Sequence, residues 1–352
     1  MGKWGKSILY LLLALVLLLP AASWTTGMIL RGMVRQELQR MASEGEPGSA
    51  DDLIPPPVFP LQNAALMYQR ALTLTPPPPV PPAGWQNFLR TRGKETARLL
   101  RRSRPAFDLL AAGFARPQCR YDLDYRQGYR MKLPDFGKVR CLVRLCGLKA
   151  EEERKQGRIF AAQETLAQGL RFVNTLQPDN SLLTVLVKTA CRNSLEPAVQ
   201  KILDAKAKPD RNLLSQLRLV NDRGTTEILN AMYGERAFGL ALFEELRNAS
   251  PKIAAAELQL PETRAAWEWK MPGKPLFYYD QWYFLSYWRK NLDEIKQNRN
   301  LSPLRPLPNC CLLSRVLIPN LDRALSKVRE TLRRYRGLAG AMNRLETVKK
   351  SR

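Results

Sequence analysis

Apolar residues recur with the spacing of an α-helix along most of this chain. From residue 85 onward, stripes with the i, i+3, i+4, i+7 pattern follow one another. One stripe consists of Val139, Leu142, Val143, Cys146 and Ala150, and the next of Ile159, Leu166, Leu170 and Val173. No stretch alternates with period two between turn signals, so we predict an all-α fold.

Two of these stripes predict a helical hairpin. Segments 138–156 and 158–176 join at Gly157 and end at Pro178, a length that suits one tetratricopeptide-type unit of about 34 residues. No second copy of this unit follows, so we predict an irregular helical-hairpin body rather than a regular solenoid.

Further helices are predicted on either side of Asp210. The stripe before it is made up of Leu183, Val187, Cys191, Leu195, Ala198 and Ile202. Asp210 is a typical N-cap residue for the helix that follows, and Thr225 or Thr226 is predicted to begin another helix that reaches Leu246.

The first thirty residues predict a transmembrane helix. Residues 7–30 carry no charge, and as a helix they extend about 36 Å, against about 30 Å for a hydrocarbon core. A cleaved signal peptide is the alternative, because residues 20–23 (Pro-Ala-Ala-Ser) have the small side chains of a cleavage site. We favour an uncleaved signal-anchor with Trp4 and Trp24 at opposite interfaces.

The short basic head sets the predicted orientation. Six residues, including Lys3 and Lys6, precede the apolar run, as in a signal-anchor. We therefore expect a single-pass protein of the inner membrane, with the amino terminus in the cytoplasm and the body outside it.

Ten prolines lie between residues 55 and 82. Proline runs act as semi-rigid spacers, so residues 31–84 are predicted to be a membrane-proximal linker between the anchor (1–30) and the helical domain (85–352). A short helix is expected within it at residues 62–74, with one side formed by Ala65, Tyr68, Ala71 and Leu72. The linker is either a stalk or a loop packed on the body.

The composition removes several classes of catalytic and metal site. The 352 residues contain no histidine, which excludes Ser-His-Asp and Cys-His nucleophile systems and His-ligated zinc or haem. The six cysteines include no Cys-x-x-Cys pair, so we predict no metal and no cofactor. They either form disulfides or remain buried thiols, and the second is favoured for Cys146 and Cys191 on apolar stripes. A formal charge of +24 favours anionic surfaces as partners.

Four polar residues have both a structural and a catalytic interpretation. Asp122 and Asp124 lie among arginines and tyrosines, and Glu235 and Arg236 lie within a predicted helix. Two carboxylates across a cleft could act as acid and base in glycoside hydrolysis. We favour structural roles, in salt bridges and in a buried Glu-Arg pair, so no residue is predicted to be catalytic.

Ten of the 29 aromatic residues (7 Trp, 11 Tyr and 11 Phe) lie between Trp267 and Trp288. Helical spacing predicts an inward stripe of Phe277, Phe284, Trp288, Leu292 and Ile295. Trp282, Tyr283 and Tyr287 then face the surface, where flat rings can contact sugars, hydrophobic peptides or a membrane interface. We predict these three as binding residues.

The carboxyl-terminal helix carries the densest positive charge. Residues Arg323–Arg352 include ten Lys or Arg and two Glu, opposite an apolar face with Leu325 and Leu332. Such a helix suits anionic lipid headgroups or an acidic partner. Nucleic acid is not predicted as a partner, because no recognised reading motif accompanies the charge.

Several short motifs follow the apolar anchor and the proline-rich stretch. They are Asn63-Ala64-Ala65 with Tyr68, Cys119-Arg120 with Asp122, Leu133-Pro134, Gly157, Gly234-Glu235-Arg236-Ala237 and Arg333-Arg334-Tyr335-Arg336. In this order they resemble an uncharacterised family of membrane-anchored, all-helical bacterial proteins. The resemblance implies an envelope location and suggests a structural helper of a secretion apparatus. It assigns no catalytic residue.

These features predict a membrane-anchored helical binding or scaffold protein of the bacterial cell envelope. Residues 7–30 are expected in the lipid bilayer, and a protein or envelope polymer is expected on a helical groove. The alternative is a carboxylate-dependent enzyme acting on envelope glycans, which a cleft with two close, unpaired carboxylates would indicate.

Overall fold

The computed structural model describes residues 3–77, 93–247, 271–297, 310–318 and 321–350, with residues 249, 250, 252, 253, 256 and 308 besides. For residues 3–15, 322 and 348–350 it describes the backbone alone. These residues form eleven α-helices: α1 Lys3–Ser43, α2 Ala65–Leu74, α3 Gly93–Arg102, α4 Arg104–Phe114, α5 Phe136–Lys155, α6 Ile159–Asn174, α7 Leu182–Asp204, α8 Arg211–Arg247, α9 Pro275–Lys296, α10 Leu312–Leu317 and α11 Leu321–Lys350. The described residues contain no strand, and one isolated bridge joins Asn63 and Gln118. The all-α prediction is confirmed.

The chain divides into two compact units. Unit 1 comprises Met1–Ile54, Tyr125–Arg130 and Met232–Asp322, and unit 2 comprises Pro55–Asp124, Met131–Ala231 and Arg323–Arg352. The boundary after Ala231 falls inside α8, so this helix contributes residues to both units. The division into anchor, linker and body at residues 30 and 84 stays a prediction.

The predicted hairpin is confirmed as α5 and α6 in unit 2. The Asp135 carboxylate accepts a hydrogen bond from the Lys138 backbone N–H (3.0 Å), which caps the start of α5. Gly157 adopts the left-handed φ of +76° in the turn, a conformation that costs glycine little. Apolar residues of both helices belong to the buried core of unit 2.

The short helix expected within the linker is α2, and it belongs to the core of unit 2. Its four inward residues are those predicted: Ala65, Tyr68, Ala71 and Leu72. The Tyr68 ring meets the edge of Phe172 on α6, with 5.0 Å between centroids. This part of the linker is therefore packed on the body, and residues 78–84 lie outside the described residues.

Two details of α7 and α8 differ from the sequence prediction. Leu183 is 50% exposed because Leu182 and Val185 form the inward side of the first turn of α7, whereas Cys191 and Leu195 of the predicted stripe are buried. α8 runs without a break through Thr225 and Thr226, so the prediction of a new helix there was wrong. Within this continuous helix Gly224 allows a close approach of α11, since a Cβ there would lie 2.6 Å from a methyl of Leu332.

α1 continues well beyond the end of the predicted span. Gly27, Val34 and Met41 are buried one heptad apart, on the side that packs against α9. Among the residues whose side chains are described, no helix has the length and apolar character needed to cross a membrane. Much of the apolar run at residues 8–19 lies outside those residues.

Candidate functional site

The predicted inward stripe of α9 is buried. Its members are Phe277, Phe284, Trp288, Leu292 and Ile295, each at most 3% exposed. Phe243 of α8 packs against two of them, with ring centroids 5.7 Å from Phe277 and 5.4 Å from Phe284. Gly239 allows this close approach, because a Cβ there would overlap the Phe284 ring. The inner face of α9 is thus fixed by ring packing.

The other side of α9 carries the predicted binding residues. Trp282, Tyr283 and Tyr287 are all partly exposed. Tyr279 extends the group, since its ring centroid lies 6.0 Å from that of Trp282 and 6.5 Å from that of Tyr283. We call Tyr279, Trp282, Tyr283 and Tyr287 the aromatic face. Trp267 and Trp269 of the same cluster lie outside the described residues.

α1 and α9 lie parallel and are joined along their length. At one end the Ser23 hydroxyl donates to the Pro272 carbonyl oxygen (2.7 Å). Further along, Glu37 pairs with Arg289, and beyond the end of α1 Glu46 accepts from Lys296 (2.7 Å). The partners advance in the same order along both segments, which makes the two helices parallel. Because contacts lie at both ends of α9, the helix that carries the aromatic face is fixed at each end.

Glu46 is also the partner of the buried Arg236. The guanidinium of Arg236, 1% exposed, donates to a Glu46 carboxylate oxygen (2.6 Å) and to the Pro47 carbonyl oxygen (3.1 Å). Burial alone raises the pKa of Glu46, but Lys296 and Arg236 more than reverse this and lower the pKa. Glu235 is half-buried, and its backbone carbonyl accepts from the Tyr129 hydroxyl (3.1 Å). The buried Glu-Arg pair expected here thus takes its acid from Glu46.

A buried carboxylate joins α9 to α10. Asp280 is fully buried, and its oxygens accept from the backbone N–H groups of Leu313 (2.7 Å) and Ser314 (3.1 Å) and from the Ser314 hydroxyl. Burial raises the pKa of Asp280 to about 6, although the bonds from Ser314 and Leu313 offset part of the shift. This carboxylate satisfies the first free N–H groups of α10.

Unit 2 contains a charged network that sequence reasoning missed. Arg192 donates from both terminal nitrogens to Glu227 (2.8 and 2.9 Å) and from one of them to Asn174 (2.9 Å). Lys188 contacts Glu227 (3.5 Å) and Asp179 (2.5 Å). Burial alone raises the pKa of Glu227, but the charges of Lys188 and Arg192 bring it to about 2. The sequence signal for this network was the pair of cations Lys188 and Arg192, which lie four residues apart within an otherwise apolar part of α7.

The candidate catalytic carboxylates are divided between the two units. Asp122 and Asp124 are exposed residues of unit 2, whereas Glu235 belongs to unit 1. The carboxylates of the buried residues Glu37, Glu153, Glu227 and Asp280 are each bound by cations or backbone N–H groups, and so is that of Glu46, whose side chain is 5% exposed. These bonds suit structural roles.

All six cysteines are free thiols, so the alternative of disulfides is not realised in this structure. Burial raises the pKa of Cys146, Cys191 and Cys119 to about 12. A nucleophilic cysteine needs the thiolate, and these three hold the neutral thiol at neutral pH.

The basic helix α11 is amphipathic in the way the sequence predicted. Leu325, Val328, Tyr335, Leu338 and Met342 are buried, whereas Lys327, Arg333, Arg336 and Arg344 are exposed. Arg334 contacts Glu196 (3.0 Å). The role of Arg323–Arg352 toward anionic lipid stays a prediction.

Surface depressions that could receive a partner occur in both units. One in unit 2, of about 620 Å³, lies between the α3–α4 pair and the α5–α6 hairpin and is lined by charges of both signs. One in unit 1, of about 490 Å³, is lined by Tyr129, Phe238, Leu242, Val316 and neighbouring residues. Both are lined by arginines and glutamates together, so neither presents charge of a single sign to a ligand.

Among the residues that the structure describes, no group of three or more potential ligand side chains is placed to hold a metal ion.

Comparison of the chain with family models, curated proteins and solved structures found no match. The resemblance to a membrane-anchored helical family therefore stays an expectation from the motifs alone.

Proposed function

We propose that this chain is a membrane-anchored helical binding or scaffold protein of the bacterial cell envelope. The observation that carries the proposal is the aromatic face of α9. Trp and Tyr side chains supply large contact area with few rotatable bonds, which is why they dominate binding hot spots. α9 is already held by α1, α8 and α10, so a partner would find these rings preorganised.

The anchor is proposed to be the first part of α1. Val16, Leu17, Leu18 and Leu19 are each 60–67% exposed, and Trp24 is 54% exposed. Contiguous exposed apolar side chains mark protein or membrane contacts, and insertion into a bilayer removes their apolar surface from water. In this proposal the amino terminus is cytoplasmic, and unit 2 and the part of unit 1 beyond the anchor lie outside the cytoplasm.

Membrane fractionation tests the anchor. The full chain is expected to remain in the pellet after alkaline carbonate extraction, and protease added to spheroplasts is expected to degrade the body. If the body resists protease until the cells are lysed, the proposed orientation is wrong.

Copurification from crosslinked membranes tests the aromatic face. Trp282→Ala combined with Tyr283→Ala is expected to reduce the yield of the main copurified partner at least tenfold, since each hot-spot truncation costs about 2 kcal/mol. Phe160→Ala is the matched control, because Phe160 is 67% exposed and lies in unit 2. Equal partner yields from the wild type and the double variant would remove the support for docking on α9.

A further inference from the structure

One end of unit 1 gathers cationic and apolar side chains from three segments of the chain. They come from α1 near Trp24, from the turn at residues 271–274, and from the end of α8, and the turn contacts both of the other segments; Lys252 and Ile253 follow Arg247 five and six residues later in the chain. We call this set the basal end of unit 1.

The turn at 271–274 is in direct backbone contact with α1. A Cβ on Gly273 would lie 2.7 Å from the Trp24 Cα, and a Cβ on Gly27 would overlap the Gly273 carbonyl oxygen. Gly273 also has a φ of +74°, so the turn needs glycine for its conformation as well as for its closeness. The turn is therefore fixed at the level of residues 23–27 of α1.

α8 runs toward the same end. Gly239 packs at Phe284, Phe243 packs between Phe284 and Phe277, and the Arg247 carbonyl oxygen accepts from the Lys274 ammonium. The order of these contacts makes α8 antiparallel to α9, with Arg247 beside the turn. Beyond α8, Lys252 is exposed and Ile253 is 56% exposed.

Among the described side chains of the basal end, positive charge is in excess. Lys274 donates to a neutral backbone carbonyl, and both burial and the nearby Arg247 charge lower the pKa of Lys274. Arg247 contacts Glu244 at 3.5 Å, and that carboxylate is 75% exposed. With the exposed Lys252, the described side chains here supply three cations and the one carboxylate of Glu244, a balance that favours an added anion.

The length of α1 relates this end to a bilayer, and this step rests on the proposed membrane anchor. Trp4 and Trp24 are separated by 20 residues, or about 30 Å of helix, which matches a hydrocarbon core. Trp24 then lies at the interface, and the turn that touches it lies in the headgroup layer. Trp282, nine residues beyond Gly273, stands about 14 Å further out.

We propose that the basal end of unit 1, formed by Lys274, Arg247, Lys252 and Ile253 beside Trp24, binds the headgroups of anionic phospholipids where α1 leaves the bilayer. The cations contact headgroup phosphates and Ile253 enters the edge of the acyl region. The aromatic face of α9 stays clear of the headgroups.

Photo-crosslinking of the full chain in vesicles tests this proposal. p-Benzoylphenylalanine replaces Ile253 in one sample and Tyr129 in another. Tyr129 is the control position, because it is 47% exposed in unit 1 and contacts Glu235, which lies far along α8 from Arg247. The vesicles contain phosphatidylglycerol and phosphatidylcholine in equal amounts. Mass spectrometry identifies the lipid adducts, and vesicle flotation reports anchoring separately.

We expect lipid adducts at position 253 and not at position 129, with phosphatidylglycerol enriched several-fold over the bulk ratio. Lys274→Gln should lower this enrichment about fivefold, because one Lys near an anionic surface contributes a factor of that size. Lys290 is an exposed lysine near the far end of α9, and Lys290→Gln should leave the phosphatidylglycerol enrichment unchanged. A chain that floats with the vesicles but gives no adduct at 253, or adducts in the bulk ratio, overturns the headgroup proposal alone. A chain that does not float overturns the membrane anchor and the headgroup proposal together.

Discussion

The charged network of unit 2 allows a stability effect to be worked out from one residue. Glu227→Gln keeps the size of the side chain but leaves Lys188 and Arg192, each 1% exposed, without their shared counter-charge. The pKa of Glu227 falls from its ordinary value of 4.5 to about 2 in the folded chain. A difference of this size corresponds to about 3 kcal/mol of stability at neutral pH.

The sign of the pH dependence follows from the direction of the shift. Because the folded-state pKa is lowered, the contribution of Glu227 is fully present above pH 4.5 and is lost as the pH falls toward 2. The difference between wild type and Glu227→Gln should therefore be largest near pH 7 and should shrink over that acid range.

Hydrogen exchange of the α7 amides measures this effect within unit 2. Glu227→Gln is expected to lower the opening free energy of α7 by about 3 kcal/mol at pH 7, the size typical of a broken buried ion pair. Arg334→Gln is the control, because the Arg334 side chain is 41% exposed and its pair with Glu196 is worth about 1 kcal/mol or less. A loss below about 1 kcal/mol for Glu227→Gln would refute the reasoning.

Three further predictions follow from other sites. Titration of selectively labelled aspartate should give Asp280 a midpoint near pH 6, and Ser314→Ala should raise it because a bond to the charged form is lost; an unchanged midpoint contradicts the assignment. Gly273→Ala should destabilise the contact of α1 with the turn by about 1–3 kcal/mol, seen as faster proteolysis of that region, since both φ and space require glycine. Cys191 should resist alkylation in the folded chain and react in urea, whereas Cys310, which is half-buried, should react first; the reverse order would contradict the burial of Cys191.

Much of the helical fold was predictable because its signals are local. The inward face of α2, the stripe of α9 and the turn at Gly157 depend on side chains a few residues apart. Asp210 likewise accepts from the Leu213 N–H (3.0 Å), as its residue type predicted.

The remaining features depend on partners far apart in the chain. The close packing at Gly224 of α8 involves Leu332, more than a hundred residues later. Arg236 is neutralised by Glu46 rather than by an adjacent acid, because the end of α1 brings that carboxylate to α8. The packing of α2 depends on distant residues such as Phe172, which is why the sequence left both a stalk and a loop packed on the body as alternatives.

The most direct test of the proposed function is crosslinking from the aromatic face in intact cells. With p-benzoylphenylalanine in place of Trp282 or Tyr287, irradiation is expected to give one discrete adduct with an envelope macromolecule at both positions. The same residue in place of Phe160 should give none. The account is contradicted if positions 282 and 287 yield no adduct, or if position 160 yields the same adduct.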